Sequence, residues 1–157
     1  MDKQESFADL SDPTPRYTVK EVAEQLGMTA YTVRYYDNAG LVPGVGRSDG
    51  NIRLFSDRHL AWLKLVHCLR STGLPIKTVR RYVRLCLAGD STIPERAELI
   101  FKQEKVLRGR LKMLHRQMEI LKYKKHYYQE LLAGRGPDRC NPRQTPSAAK
   151  PDIAPHT

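Results

Sequence analysis

From Pro94 to Leu132 the chain carries one glycine, Gly109, and no internal proline. That run predicts a single helix of roughly 38 residues, about 57 Å long at 1.5 Å rise per residue. A helix of such length is too long to fold against the small domain that a 157-residue chain leaves beside it; it needs a partner. Leu107, Leu111, Leu114, Met118, Leu121, Tyr128 and Leu132 follow one another at alternating spacings of four and three, interrupted by Lys125. This is the seam of a coiled coil, clean from 107 to 121 and weaker beyond. Val106, Met113, Ile120 and Tyr127 form a second stripe that can dock on a partner's head. The alternative is a stripe covering the chain's own core. A seam with a side stripe exceeds what one small head can cover, so a homodimer is expected. Its dimerisation positions are Leu107, Leu111, Leu114, Met118, Leu121 and Tyr128.

What precedes the long helix reads as a compact head. Thr18 and Glu21 make a Thr-x-x-Glu capping box, and Val19, Val22, Ala23 and Leu26 give an apolar stripe at helical spacing. Gly27 ends that helix, because glycine leaves a helix cheaply through the left-handed region. Thr29 caps a second helix to about Asn38, closed by Gly40. Two short capped helices joined by a tight turn make a helix-turn-helix. In "LVPGVGRSDGNIRLFS" Pro43, Gly44 and Gly46 exclude helix, and Asp49-Gly50 signals a two-residue hairpin turn between "VGRS" and "NIRLF". Ser56 caps a third helix to about Ser71, and a fourth is expected from Lys77 to Leu87, closed by Gly89. The expected fold is therefore mainly α: a winged helix-turn-helix head with a small β-hairpin wing, followed by a long coiled-coil dimerisation helix.

The second helix spends its residues unusually. Ala30 and Val33 can pack on the first helix, which leaves Tyr31, Arg34 and Tyr35 on the opposite face, since positions i, i+3 and i+4 neighbour one another. A guanidinium can fork onto a phosphate or a guanine edge, and a phenol can donate to a phosphate and rest its ring on a sugar. The bland alternative is a surface helix with a partly buried Tyr36 and a solvated Arg34. Arg47 and Arg53 flank the hairpin tip, where they can hold a phosphate or enter a minor groove. Lys77, Arg80, Arg81 and Arg84 add charge on the fourth helix but read as a solvated face.

Net charge of +10 and a pI near 9.7 favour a polyanionic partner, nucleic acid before acidic membrane. No apolar run reaches membrane-spanning length and no signal-peptide layout opens the chain, so a cytoplasmic protein without membrane contact is expected. Three widely spaced cysteines make neither a disulfide framework nor a zinc module. No CxxC, HExxH, GxSxG or phosphate-cradling glycine loop occurs, so neither catalytic residues, metal site nor cofactor is expected. Residues 1–16 read as a disordered lead, 17–92 as the winged-helix domain, 93–132 as the dimerisation helix, and 133–157, with five prolines, as a disordered tail.

"YTVKEVAEQLGMTAYTVRYYDNAGLVP", "GNIRLFSDRHLAWLKLVHCLRSTGLPIKTVRRYV" and the long helix together resemble the MerR family of bacterial transcription regulators over about 17–132. "TVRYYDNAGLVP" stands where that family has Thr-Leu-Arg-Tyr-Tyr-Glu-x-x-Gly-Leu-x-x-Pro. "GNIRLFS" stands where it has Gly-x-Arg-x-Tyr at the wing. The resemblance implies a homodimer joined by an antiparallel coiled coil, with two heads on a palindrome inside an overlong promoter spacer. Bending and untwisting that spacer brings the polymerase-recognition elements into phase for RNA polymerase. Smooth bending of such a site costs on the order of 1–6 kcal/mol, which two heads can supply. By position, Arg34, Tyr35 and Tyr36 would carry the DNA contacts and Arg53 a wing backbone contact. Tyr31, where the family varies, would contribute to operator choice.

The metal-sensing relatives place thiols at the start of the long helix and a cysteine pair after it. Here that helix begins "IPERAEL", and Cys140 stands alone. "LVHCLRSTGL" resembles the aldehyde- and thiol-stress subgroup, which has one cysteine at this place in the third helix. Cys68 is thus the candidate thiol sensor, with Lys64 one turn earlier able to favour its thiolate. The alternative is a packed cysteine acting as a small hydrophobe, which is also how Cys86 reads. Two other functions compete: an architectural DNA-binding protein of the excisionase kind, and a coiled-coil protein-interaction module.

Overall fold

The computed structural model describes residues 12–143; the expected disorder of 1–11 and 144–157 lies outside the described residues. The elements run α1 (Val19–Leu26), α2 (Ala30–Asn38), β1 (Gly46–Arg47), β2 (Arg53–Leu54), α3 (Asp57–Ser71), α4 (Ile76–Leu87), a 3-10 turn (Asp90–Thr92) and α5 (Ile93–Leu132). Two compact units divide the chain between Lys105 and Val106, inside α5.

In the first unit the starts of α1, α2 and α3 are set by side chains, whereas α4 follows Pro75 without a side-chain cap. Glu21 N donates to Thr18 Oγ1 at 3.4 Å while Thr18 N donates to Glu21 Oε2 at 2.7 Å, closing the capping box of α1. Gly27, at φ 62°, takes the left-handed exit. Thr32 N donates to Thr29 Oγ1 at 3.0 Å to start α2. At α3 the box is completed by an unexpected residue: Ser56 N donates to His59 Nδ1 at 2.9 Å, and His59 N donates to Ser56 Oγ at 3.4 Å. Both side chains are buried.

α1 packs on α2, α3 lies against both, and α4 packs on α3. Val22, Val33, Leu41, Phe55, Leu63, Val66 and Val79 are fully buried at the centre. Each removes an apolar side chain from water, worth about 1.5–3 kcal/mol per residue. The first part of α5 belongs to this unit, past the expected boundary at 92. Ile100 packs on the core, Gln103 Nε2 donates to Thr72 O at 2.7 Å, and Glu95 pairs with Arg81. The lead is also shorter than expected, because Arg16 N and Tyr17 N both donate to Phe55 O at 2.9 Å and Arg16 pairs with Asp57.

The wing pairs Gly46 with Leu54 and Arg47 with Arg53, antiparallel. Its turn is one residue longer than the Asp-Gly signal predicts. Asn51 N donates to Ser48 O at 2.8 Å and Ser48 N to Ile52 O at 2.9 Å, leaving Asp49, Gly50 and Asn51 as the loop. Asn51 holds the left-handed position at φ 59°, a conformation asparagine tolerates better than most residues.

In the second unit α5 continues to Leu132 and the chain then turns back at Gly134. Tyr127 Oη donates to Asp138 Oδ1 at 2.7 Å and accepts from Arg139 N at 2.7 Å and Cys140 N at 3.0 Å. Lys124 Nζ donates to Cys140 Sγ at 3.3 Å. The tail expected to be disordered from 133 is therefore tied down as far as Cys140. Tyr127, expected in a stripe for a partner, is instead the anchor of its own chain.

Candidate nucleic-acid interface

α2 is built with two unlike faces. Val33 and Tyr36 point into the core. On the other side Tyr31 is 77% exposed, and its ring stacks on that of Tyr35 with an interplanar angle of 2° and centroids 6.4 Å apart. Arg34 is exposed between them and makes no hydrogen bond or ion pair among the described residues. A free guanidinium flanked by two stacked, exposed rings has paid neither desolvation nor pairing, so its donors stay available to an acceptor from outside.

Tyr36 does not share that surface. It is 5% exposed, and its hydroxyl meets His67 Nδ1 at 3.2 Å. Burial pushes its phenol up from the ordinary value, partly opposed by Arg70. Tyr36, expected among the DNA contacts, is placed as a core tyrosine whose polar tip is satisfied by a neighbour.

The two wing arginines divide similarly. Arg47 is exposed, and its Nη1 donates to Asn51 Oδ1 at 3.1 Å, inside the wing. Arg53 is 18% exposed; its Nε donates to Asp37 Oδ2 at 2.7 Å and its Nη2 reaches Asn38 Oδ1. Arg53, expected to make a wing backbone contact, ties the wing to the last turn of α2. Arg80, expected on a solvated face, does comparable work from α4, with Nε donating to Ala39 O at 2.8 Å just past the end of α2. The position of α2 is thus fixed by Arg53 and Arg80, and its outward face is left to Tyr31, Arg34 and Tyr35. No local pattern in the sequence marks Asp37 or Ala39 as partners, since each bond spans a long stretch of chain.

His59 supports the wing's root. Burial lowers its imidazole pKa, opposed by hydrogen bonds to the carbonyls of Pro43 and Gly44 in the segment entering the wing. Its Nδ1 accepts from Ser56, so the neutral ring joins the start of α3 to the loop ahead of β1.

Cys68 is exposed on α3, which removes the packed-hydrophobe alternative there. Cys86 is partly buried and accepts from Arg96 Nη1 at 3.6 Å. Among the described residues no group of three or more His, Cys, Asp or Glu is placed to hold a metal, and no helix is long and apolar enough to cross a membrane. In the second unit the seam stands open: Leu107 is 40% exposed and Leu121 61%, with Leu111, Leu114, Met118 and Tyr128 between.

A two-helix motif with an outward-facing second helix, flanked by a braced hairpin, defines a winged helix-turn-helix protein. The family described as "MerR HTH family regulatory protein" matches residues 17–86. An uncharacterized HTH-type transcriptional regulator of Haemophilus influenzae is 40% identical over 117 residues, 74% of this chain and 87% of the relative. The HTH-type transcriptional regulator AdhR of Bacillus subtilis is 37% identical over 82 residues, 52% of this chain and 59% of its own. Among solved structures, HiNmlR, a MerR family regulator lacking the sensor domain and bound to promoter DNA, superposes with a TM-score of 0.60 at 40% identity. That match covers 74% of this chain and 93% of HiNmlR. The chain belongs to the MerR family of helix-turn-helix regulators. The relatives are regulators rather than enzymes.

Proposed function

We propose that this chain is a DNA-binding transcription regulator that grips a palindromic promoter as a homodimer in the cytoplasm. Each head lays α2 in a major groove, with its wing beside it, and the two chains join along the α5 seam. The observation that carries this reading is the outward face of α2: Tyr31, Arg34 and Tyr35 are exposed and Arg34 is unpaired, while Arg53 and Arg80 hold the helix from behind. The promoter-bound relative at 40% identity supports it. So does a +10 charge suited to neutralising phosphates. Two heads at a fixed separation bend and untwist an overlong spacer, setting the promoter elements in phase for RNA polymerase. Arg34→Ala is expected to cost about 1–3 kcal/mol of binding to a palindrome selected from a randomised pool, read by gel shift. Unchanged binding by that variant would remove α2 from the interface.

A second reading concerns the signal. Cys68 is exposed on α3, where an aldehyde or another electrophile can reach its sulfur, and the similarity to AdhR supports the thiol-stress subgroup. Cys68→Ser is expected to bind the same DNA and to activate transcription in vitro, yet to ignore aldehyde treatment. A full response in the variant would clear Cys68 of the role.

A further inference from the structure

His67 stands beside Cys68 on α3, exposed to solvent. Its ring nonetheless reaches inward. Nδ1 lies 3.2 Å from the hydroxyl of Tyr36, which is on α2 and 31 residues earlier in the chain. The two rings are tilted by 55°, with centroids 6.2 Å apart. Tyr36 is buried, so its phenol has to find a partner inside the protein or lose the hydrogen bond that water gives it in the unfolded chain. Among the described residues no buried side-chain nitrogen or oxygen is left without a partner. For Tyr36 the partner comes from the surface, as His67.

On its other side Tyr36 meets the outward face of α2. Its ring lies 6.0 Å from that of Tyr35 with a 45° tilt, and Tyr35 stacks on Tyr31 at 6.4 Å. Four rings therefore follow one another from the exposed turn of α3, through the core, to the face that carries Arg34. Aromatic pairs at these separations prefer defined orientations, and a close-packed interior passes a displacement on rather than absorbing it. Arg53 and Arg80 hold the end of α2, at Asp37, Asn38 and the carbonyl of Ala39. Tyr31 lies about two turns back along the helix, and its ring is backed by Tyr35, which in turn rests on Tyr36.

We infer that His67 is a positioning residue for DNA recognition: acting through Tyr36, it sets where Tyr35 and Tyr31 stand on the face of α2, and so which bases that face prefers. The inference rests on the DNA-binding reading and deepens it, because it names a residue that acts on base choice without touching a base. Burial makes the contact asymmetric. Removing the imidazole orphans a buried hydroxyl, and Tyr36 has to shift towards water to satisfy it, carrying Tyr35 along. Removing the hydroxyl as well leaves apolar groups in contact and nothing to satisfy, so the rings stay in place.

The test compares the full chain with His67→Leu, His67→Gln and the double variant His67→Leu/Tyr36→Phe. Each is titrated by gel shift on the best duplex selected from a randomised pool and on a panel of single-base changes in its half-sites, and each is melted thermally. His67→Leu is expected to bind the best duplex about threefold to tenfold more weakly, in line with one lost hydrogen bond, and to reorder the preferred bases. Adding Tyr36→Phe is expected to return affinity and base order to those of the full chain, a coupling that independent residues do not show. His67→Gln, which keeps an acceptor for the phenol, is expected to behave as the full chain. A His67→Leu protein that melts earlier but keeps the base order has lost a structural contact alone, which overturns the positioning role. A double variant as altered as His67→Leu, or a reordered base preference in His67→Gln, overturns the route through the Tyr36 hydroxyl. Each of these results leaves the DNA reading intact; an unmodified chain that prefers no duplex overturns both.

Discussion

Two arginines of the head show how one residue type serves opposite ends. Arg34 stands free on the face of α2, and Arg53 is held by Asp37 and Asn38. The first keeps its donors available and the second fixes geometry. Nothing local separates them in the sequence, where both sit in positions that the family resemblance assigns to DNA. The difference lies in a partner 16 residues away, which no short-range pattern encodes. Tyr35 and Tyr36 differ for a simpler reason, as neighbours on a helix point 100° apart and only one of them can join the core. His59 is a third case. Buried and neutral, with a pKa below the ordinary 6.5, it binds no proton in the folded state where the unfolded chain does. The unfolded state therefore holds more protons below 6.5, so the stability His59 contributes is complete above that value and is lost as the pH falls through the depressed folded pKa. Thermal melts of the wild type are expected to weaken from neutral to mildly acidic pH more steeply than those of His59→Gln, which keeps a capping acceptor but cannot titrate. Parallel pH profiles would contradict the assignment.

Among the elements, the helix starts were the most readable. Thr18, Thr29 and Ser56 each cap where their spacing to a following apolar stripe says they should, because a cap bond is made within three residues of chain. The wing was half readable: the arms were clear, but the turn took Asn51 into its left-handed position and grew by one residue. The return segment after α5 was not readable at all. Its proline content argues for disorder, whereas Tyr127 gathers two backbone amides and the Asp138 carboxylate around one hydroxyl. Tyr127→Phe deletes all three bonds while keeping the ring. Trypsin cleavage at Arg139 is expected to accelerate severalfold in that variant while α5 helicity by circular dichroism stays unchanged. Equal cleavage rates would mean that the tyrosine hydroxyl does not hold the segment.

For the whole molecule, α5 decides between a lone head and a yoked pair. Its first part is committed to the head through Ile100 and Gln103, and the rest carries a row of four leucines, Met118 and Tyr128 that its own chain leaves half bare. Covering such side chains is worth about 1 kcal/mol each when half the surface is already hidden. A row of six therefore favours a second copy strongly enough to set two heads on one duplex. Geometry then matters more than contact strength, since DNA deformation is sensitive to how far apart and in what phase the heads are held.

The central claim is that two chains act on one palindrome. Native mass spectrometry of the protein with a selected palindromic duplex, and with the same duplex reduced to one half-site, measures it directly. The account predicts two chains of 18.0 kDa on the palindrome and a large loss of affinity for the half-site. A single chain on the full palindrome, bound as tightly as to the half-site, would contradict it.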